Sequence, residues 1–240
     1  MSGVFCATWG SPSDTLSKML NIRLLLKKAA REARKVGLRR FVVEAVNRFS
    51  YRVTANDFDR ANRTDTGGRV PLWRLGIPYP SARFGASYLS PTEERIKDGL
   101  ENIPRHATLV DLGSGKGRAL IIAARMGFRR VIGVEFAAEL ADIARRNLAI
   151  TGARAEVILG DAGEYTLPDG PLGIYLYNPF SVEVMRKIAA QLDGRSGETW
   201  VAYLNPGSEP ACVELFDAIM DRAAERHGLI VWSARKKSCG

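Results

Sequence analysis

The sequence predicts an α/β fold in which a doubly wound, mostly parallel sheet follows an N-terminal helical, basic extension. After Pro91, short apolar runs with the character of strands alternate with segments that have the period of a helix. Such alternation builds parallel sheets with right-handed crossovers. Before Pro91 the chain is basic, because residues 1–90 hold 16 Lys and Arg against 6 Asp and Glu, whereas residues 91–240 hold 19 against 20. A chain of 240 residues is long enough for one such domain and an appendage.

Residues 1–56 are predicted to form the basic helical extension. Apolar residues recur at helical spacing over 22–36 and again over 38–49, with Gly37 between the two patterns. The simplest interpretation is a pair of helices with solvated Lys and Arg faces. The alternatives are docking on an anionic partner, which could be RNA, an acidic protein or an anionic membrane surface. Few aromatic residues are interleaved with the basic ones, so sequence-specific recognition of RNA bases is not favoured.

Residues 57–91 are predicted to be a loop or lid segment. Glycine and proline recur along it, and the polar stretch over 57–68 ends in two glycines. An irregular stretch of this length inside a compact protein is usually a functional loop or a linker.

Residues 92–240 are predicted to form the domain that carries the sheet. Strands are expected over the apolar runs at 108–113, 130–135, 155–161, 173–177, 199–204 and 229–232. Helices are expected over 118–127, 137–152, 181–192 and 211–228, with a further helix that begins near Glu93. Ligands of doubly wound sheets bind beyond the carboxyl ends of the strands, near the point where the strand order reverses. The residues that follow the strands are therefore the candidates for a site.

Composition excludes several classes of site. The three cysteines, Cys6, Cys212 and Cys239, are far apart and form no Cys-x-x-Cys pair, and the chain has two histidines. We therefore expect a reducing compartment, no disulfide framework and no metal site. No stretch approaches the length and apolarity of a transmembrane segment, and the N-terminus lacks an apolar signal core, so a cytoplasmic protein is the simplest expectation.

A glycine-rich loop follows the first predicted strand of this domain, in the sequence Asp111-Leu-Gly113-Ser-Gly115-Lys-Gly117-Arg118. Alternating glycines permit a tight turn and a close approach of the backbone to a ligand at a helix N-terminus. A Walker phosphate loop is excluded, because Val110 and Gly117 stand where that motif needs Gly and Ser or Thr. The dinucleotide fingerprint fits poorly, because Arg118 stands at its sixth position. A glycine-rich turn without a ligand remains the simple alternative.

The pattern Asp-x-Gly-x-Gly-x-Gly resembles that of the class I, seven-strand, Rossmann-like methyltransferases, and the resemblance extends from about residue 92 to the end of the chain. It implies S-adenosyl-L-methionine (SAM) as cofactor. Glu135 ends the second strand and Asp161 the third, where family members bind the ribose and the adenine amino group, although each acid taken alone could be a helix cap or a turn residue. The resemblance further implies that Asp111 orients the ammonium group. The other predicted cofactor-binding residues are Gly113, Ser114, Gly115, Gly117, Phe136, Ala162, Asn178 and Thr92.

Family members usually end in an antiparallel hairpin. Here about a dozen residues follow Gly228, so we expect six strands or a short seventh element.

The fourth strand of the domain ends in Asn178-Pro179-Phe180. This resembles the segment with which amino-directed methyltransferases hold the target amine, although the second proline of that motif is missing. Asn205-Pro206 ends the fifth strand in the same way, which shows that Asn-Pro can terminate a strand here without chemistry. We predict Asn178 and Phe180 as catalytic residues, with Phe180 as a substrate wall or a core residue.

The stretch over 85–94 resembles the segment that crosses the cofactor in some lysine-directed members. By this resemblance Tyr88, predicted as catalytic, and Thr92 would close the methionine end of the site. The alternative for Thr92 is that it simply begins a helix.

Three functions are compatible with these features. The leading hypothesis is a SAM-dependent methyltransferase that modifies a nitrogen in a protein lysine or a small-molecule amine. The second is an RNA methyltransferase that uses the basic N-terminal helices. The third is a non-catalytic SAM- or nucleotide-binding regulator whose helical arm binds a partner.

Overall fold

The computed structural model of the protein describes residues 57–70, 88–177, 180–195, 197–206, 210–226 and 228–235. The chain divides into two units, Met1–Ser50 and Tyr51–Gly240, and all described residues belong to the second. The basic extension predicted over 1–56 and the predicted catalytic residue Asn178 lie outside the described residues.

Short helices and strands alternate along the described chain. The strands are β1 (Arg69–Val70), β2 (Tyr88–Leu89), β3 (Thr108–Leu112), β4 (Arg130–Glu135), β5 (Glu156–Leu159), β6 (Leu172–Tyr177), β7 (Thr199–Leu204), β8 (Met220–Arg226) and β9 (Leu229–Ala234). The helices are α1 (Glu93–Glu101), α2 (Arg118–Arg125), α3 (Ala138–Thr151), α4 (Val182–Leu192) and α5 (Pro210–Ile219). Residues 57–62, predicted as part of an irregular segment, are helical.

Seven of the described strands form one sheet in the order β5-β4-β3-β6-β7-β9-β8. The first five are parallel, β9 runs antiparallel to β7, and β8 runs antiparallel to β9. The strand order reverses between β3 and β6, which are paired neighbours. The predicted doubly wound, mostly parallel sheet is thereby confirmed, and the reversal places the expected ligand crevice at the carboxyl ends of β3 and β6.

Two apolar cores cover the two faces of this sheet. On one face α4 and α5 pack through residues such as Met185 and Phe216. On the other face α1 and α2 pack through residues such as Ile96 and Ile121. Alternate residues of each central strand enter opposite cores, as Val110 and Leu109 do in β3. Burial on both faces explains why these strands appear in the sequence as nearly continuous apolar runs.

The C-terminal part of the sheet corrects two predictions. The helix expected over 211–228 ends at Ile219, and residues 220–226 form β8 instead. The expectation of six strands, or a short seventh element, was therefore wrong, because a full seventh strand comes from inside the predicted helix. The sequence of β8 favours a helix locally, but pairing along the apolar strand β9 overrides that preference.

Two helix ends carry the sequence signals expected of them. Thr92 caps α1 by accepting a hydrogen bond from the backbone N–H of Arg95, at 3.4 Å. Gly152 ends α3 in the left-handed conformation, with φ of 66°. None of the helices in the described part of the chain is long and apolar enough to cross a membrane.

Candidate functional site

A pocket lies at the carboxyl edge of the sheet, beside the reversal of strand order. Its empty volume, including the open mouth, is about 230 Å³. Its walls come from the ends of β3, β4, β5 and β6. The lining residues are Gly113, Val134, Phe136, Gly160, Asp161, Ala162 and Phe180. Five of the predicted site residues thus surround one space, and Phe180, predicted as a wall for the substrate, lies in the same pocket as Phe136 and Asp161.

The glycine loop between β3 and α2 is held against β4 by its backbone. Gly113, Gly115 and Gly117 have φ of 82°, 54° and 84°, values that side chains disfavour. The N–H groups of Gly113 and Ser114 both donate to the carbonyl of Val134, at 2.8 and 3.1 Å. A Cβ on Gly117 would lie 3.1 Å from the Cβ of Ala144, so this glycine also lets α2 approach α3 closely.

Glu135, predicted to bind a ribose, holds the glycine loop in this structure. One carboxylate oxygen accepts from the N–H of Gly115 at 2.7 Å, and the other accepts from the N–H of Ala137 at 2.9 Å. Burial raises the pKa of Glu135 to about 7, although backbone N–H donors of Ala137, Gly115 and Phe136 act to lower it. Each carboxylate oxygen has a second lone pair, so the same group can still accept from the hydroxyls of a ligand.

Asp111 is buried beside Glu135 at the end of β3. Burial, reinforced by the negative charge of Glu135, raises the pKa of Asp111 to about 8. Tyr175 faces it across the β3–β6 pair, and within the described residues the buried hydroxyl of Tyr175 has no hydrogen-bond partner. A cationic ligand group next to Asp111 would favour its ionised form and lower this pKa. The two acids therefore suit a positively charged ligand.

Two further polar atoms at the site, on Asp161 and Ser114, have no hydrogen-bond partner among the described residues. Asp161 accepts from the N–H of Gly163 with one carboxylate oxygen, at 2.9 Å, and its other oxygen is buried without a partner in the described part of the chain. The hydroxyl of Ser114 lies next to Gly133 and is likewise buried without a hydrogen-bond partner in the described part of the chain. Buried polar atoms are rarely left unpaired, because their desolvation is then uncompensated. An amino group that donates to Asp161 would satisfy one of them, so the residues present fit a ligand of the chemistry of SAM.

Tyr88 and Thr92 are not among the described residues that line the pocket. Thr92 caps α1, which supports the simpler interpretation of that residue as a helix start. The backbone of Tyr88 pairs with Val70 between β2 and β1. Asn205 has φ of 61° and donates its N–H to the carbonyl of Gly228 at 2.6 Å, so the second Asn-Pro of the chain is a turn held by the backbone. The roles predicted for Tyr88, Thr92 and Asn178 stay predictions.

Sequence reasoning did not identify the residues behind the glycine loop. Lys116 and Arg118, which flank Gly117, are both buried and bind residues of the stretch over 57–68. Asn147 of α3 joins the same network. The available signal was Arg118 itself, which stands where a dinucleotide-binding loop has a small residue.

Comparison with known proteins agrees with this fold. Residues 109–192 match the family described as "Methyltransferase domain". A ribosomal protein L11 methyltransferase from Pelobacter propionicus is 30% identical in an alignment of 138 residues that covers 51% of this chain and 44% of that protein. The chain spans less than half the length of the curated relatives it matches.

Two solved structures are similar in fold. A possible methylase from Clostridium difficile has a TM-score of 0.50 and 17% identity, with 63% of this chain and 55% of that chain covered. A predicted N6-adenine-specific DNA methylase from Listeria monocytogenes has a TM-score of 0.50 and 12% identity, with 62% and 52% covered. Residues 109–192 are thus similar to methyltransferase domains, and the sheet of this chain has the fold of these two structures.

Proposed function

We propose that the protein transfers a methyl group from SAM to a nitrogen atom, in a protein lysine or a small-molecule amine. The observation that carries the proposal is the position of Phe180 in the pocket, together with the sequence Asn178-Pro179-Phe180 in which it stands. This segment directly follows β6, the strand that pairs with the glycine-loop strand β3 at the reversal of strand order. Phe180 lines the same pocket as Asp161. The ring of Phe180 can form a wall for an amine beside the cofactor, and the amide of Asn178, two residues earlier in the sequence, would orient that amine.

Residues of the chain divide the binding of the cofactor among them. Asp111 and the glycine loop would hold its amino-acid end, Glu135 its ribose, and Asp161 with Phe136 its adenine. When bound, SAM supplies an electrophilic methyl group that the acceptor nitrogen takes while the sulfur keeps the electrons of the broken bond. The side-chain oxygen of Asn178 would accept a hydrogen bond from the acceptor amine and align its lone pair, because alignment is the main requirement of such a transfer.

The acceptor nitrogen has to be uncharged when it attacks. A lysine loses its proton before transfer, and the proton passes to solvent. The similarity to proteins named ribosomal protein L11 methyltransferase supports a protein acceptor. The similarity covers less than half of those proteins, so the proposal of an amine acceptor is based on the Asn178-Pro179-Phe180 segment. The experiment below tests it.

Transfer of a tritium-labelled methyl group from SAM into a cell extract tests the proposal. We expect the label in the protease-sensitive or the small-amine fraction. The label should be reduced with Asp161→Ala and retained with Asp142→Asn, a control at an exposed position on α3. Asn178→Ala should lower the turnover number by a larger factor than it raises the dissociation constant of S-adenosylhomocysteine (SAH). Label that is absent from both fractions would contradict the proposal.

The basic character of residues 1–90 favours a second candidate, an RNA methyltransferase. In that case the label would be sensitive to nuclease, and affinity for RNA would fall steeply as salt is raised. A protein that binds SAH but labels no fraction would instead be a regulator without catalytic activity.

A further inference from the structure

Two buried cations flank Gly117 in the glycine loop, and neither faces the pocket. Lys116 is 7% exposed and Arg118 is 2% exposed. The amine of Lys116 donates to the carboxylate of Asp65 at 2.7 Å and to the carbonyl of Gly67 at 3.0 Å. The loop is therefore tied to a stretch of chain that lies about 50 residues earlier in the sequence.

The side chain of Arg118, the first residue of α2, contacts several residues that precede it in the chain. Its Nε donates to the hydroxyl of Thr66 at 2.7 Å, and one terminal nitrogen donates to the carbonyl of Pro91 at 3.1 Å. The other terminal nitrogen lies 3.5 Å from the carboxylate of Asp59. The guanidinium carbon of Arg118 lies over the ring of Phe58, 4.9 Å from the ring centroid. The planar fork of an arginine is needed to make these contacts together.

The partners of the two cations are themselves fixed. One carboxylate oxygen of Asp59 accepts from the hydroxyls of Thr64 and Thr66 and from the N–H of Thr66, at 2.6 to 2.8 Å. Asn147 donates both to the carbonyl of Asp65 and to the carbonyl of Lys116, each at 2.9 Å. The N–H of Asp65 donates back to Asn147 at 3.0 Å. We call this network the loop clamp, and its members are Asp59, Asp65, Thr66, Lys116, Arg118 and Asn147.

Burying the side chains of two cations is an expensive way to stabilise a fold, even where a partner such as Asp65 stays exposed. The loss of hydration offsets much of their attraction, and apolar residues of similar volume often stabilise a protein as well or better. In some proteins a buried ionic network instead fixes a single geometry. The glycine loop needs this, because three of its residues have positive φ and it has few side chains with which to pack.

We propose that the stretch over 57–68 is a functional part of the cofactor site, in which the loop clamp positions the glycine loop for binding without touching the ligand. Arg118 and Lys116 are then positioning residues. This inference rests on the proposed function, since it assigns the loop to SAM. It also extends the site to a stretch outside the matched methyltransferase domain at 109–192.

Arg118→Lys tests the clamp, and Arg105→Lys is its matched control. Arg105 also donates to carbonyls, those of Leu100 and Ile103 at 2.8 and 2.6 Å, and it lies 4.4 Å from the centre of the Phe128 ring. It is far from the glycine loop, near the amino end of β3. Each variant keeps its charge and loses the fork. The measurements are the affinity for SAH, the exchange of the backbone amides over 113–117, and unfolding by urea.

We expect both variants to be less stable than the wild type. Only Arg118→Lys should weaken SAH binding, by tenfold or more, and accelerate amide exchange in the loop. Wild-type affinity and loop exchange in Arg118→Lys would overturn the proposal, as would equal losses in both variants. If Arg118→Lys does not fold, Asp65→Asn decides, because the Asp65 side chain is 67% exposed and its loss is mild. It should accelerate loop exchange, and unchanged exchange would overturn the clamp.

The two proposals fail differently. A wild-type protein that does not bind SAH contradicts the proposed function. The amide exchange of the loop needs no ligand, so it still decides whether the clamp holds the loop.

Discussion

The substitution Asp111→Asn should stabilise the ligand-free protein while weakening its cofactor site. Asp111 is buried at the end of β3, where burial and the neighbouring Glu135 raise its pKa from 3.8 to about 8. An acid whose pKa is higher in the folded state holds its proton more tightly when folded. The free energy of unfolding therefore falls as pH rises from about 4 to about 8.

The size of this effect follows from how far the pKa of Asp111 is raised by folding. A difference of one in pKa corresponds to about 1.4 kcal/mol. At pH 7 Asp111 is ionised in the unfolded chain and still largely protonated in the folded protein, so folding is up to about 4 kcal/mol less favourable than near pH 4. Asparagine has a similar shape and no charge to lose. The gain in stability of Asp111→Asn should thus be large near neutral pH and should almost vanish near pH 4.

Urea unfolding of the ligand-free protein at both pH values measures the difference. Asp142→Asn, at an exposed position on α3, should change the free energy of unfolding by no more than about 0.5 kcal/mol at either pH. A gain for Asp111→Asn that is the same at both pH values, or a loss at neutral pH, would refute the reasoning. The variant should also bind SAM more weakly, because the ammonium group loses its carboxylate.

Three further changes probe the pocket and its loop. Asp161→Ala should raise the dissociation constant of SAH roughly 5- to 150-fold, since a hydrogen bond to a buried carboxylate is worth about 1–3 kcal/mol, and calorimetry with unchanged affinity would remove Asp161 from the site. SAM should bind more tightly as pH rises from 6 to 8 and should release protons to the buffer, because Asp111 must ionise; an affinity that is flat over this range would speak against that role. Gly133→Ala places a Cβ 2.6 Å from the hydroxyl of Ser114. The clash should lower the free energy of unfolding by about 1–3 kcal/mol and weaken SAH binding. A variant with unchanged stability and affinity would show that the glycine loop shifts freely.

The central strands of the site, β3, β4 and β6, could be predicted from the sequence, because each is buried on both faces. Apolar runs such as 108–113 and 130–135 therefore stood out, and the structure has strands at Thr108–Leu112 and Arg130–Glu135. Because these strands could be located, the acids near their carboxyl ends, Asp111 and Glu135, could be identified as site candidates. Glycine signals likewise located helix ends, as at Gly152.

Long-range contacts decided what the sequence could not show. Residues 220–226 favour a helix locally and become a strand only because β9 is available for pairing. The burial of Lys116 and Arg118 depends on partners 51 and 52 residues away, at Asp65 and Thr66. No local pattern around the glycine loop indicates such partners. The contacts of this loop with the stretch over 57–68 could therefore not be predicted from the sequence.

The central claim is that the pocket at the carboxyl edge of the sheet is a site for SAM. Calorimetric titration of the intact protein with SAH, and separately with NAD, tests this most directly, because both ligands carry an adenosine and only one has the amino-acid end that Asp111 and the glycine loop would hold. Saturable binding of SAH to one site per chain, with no binding of NAD, is the predicted result. Binding of NAD without binding of SAH would contradict it.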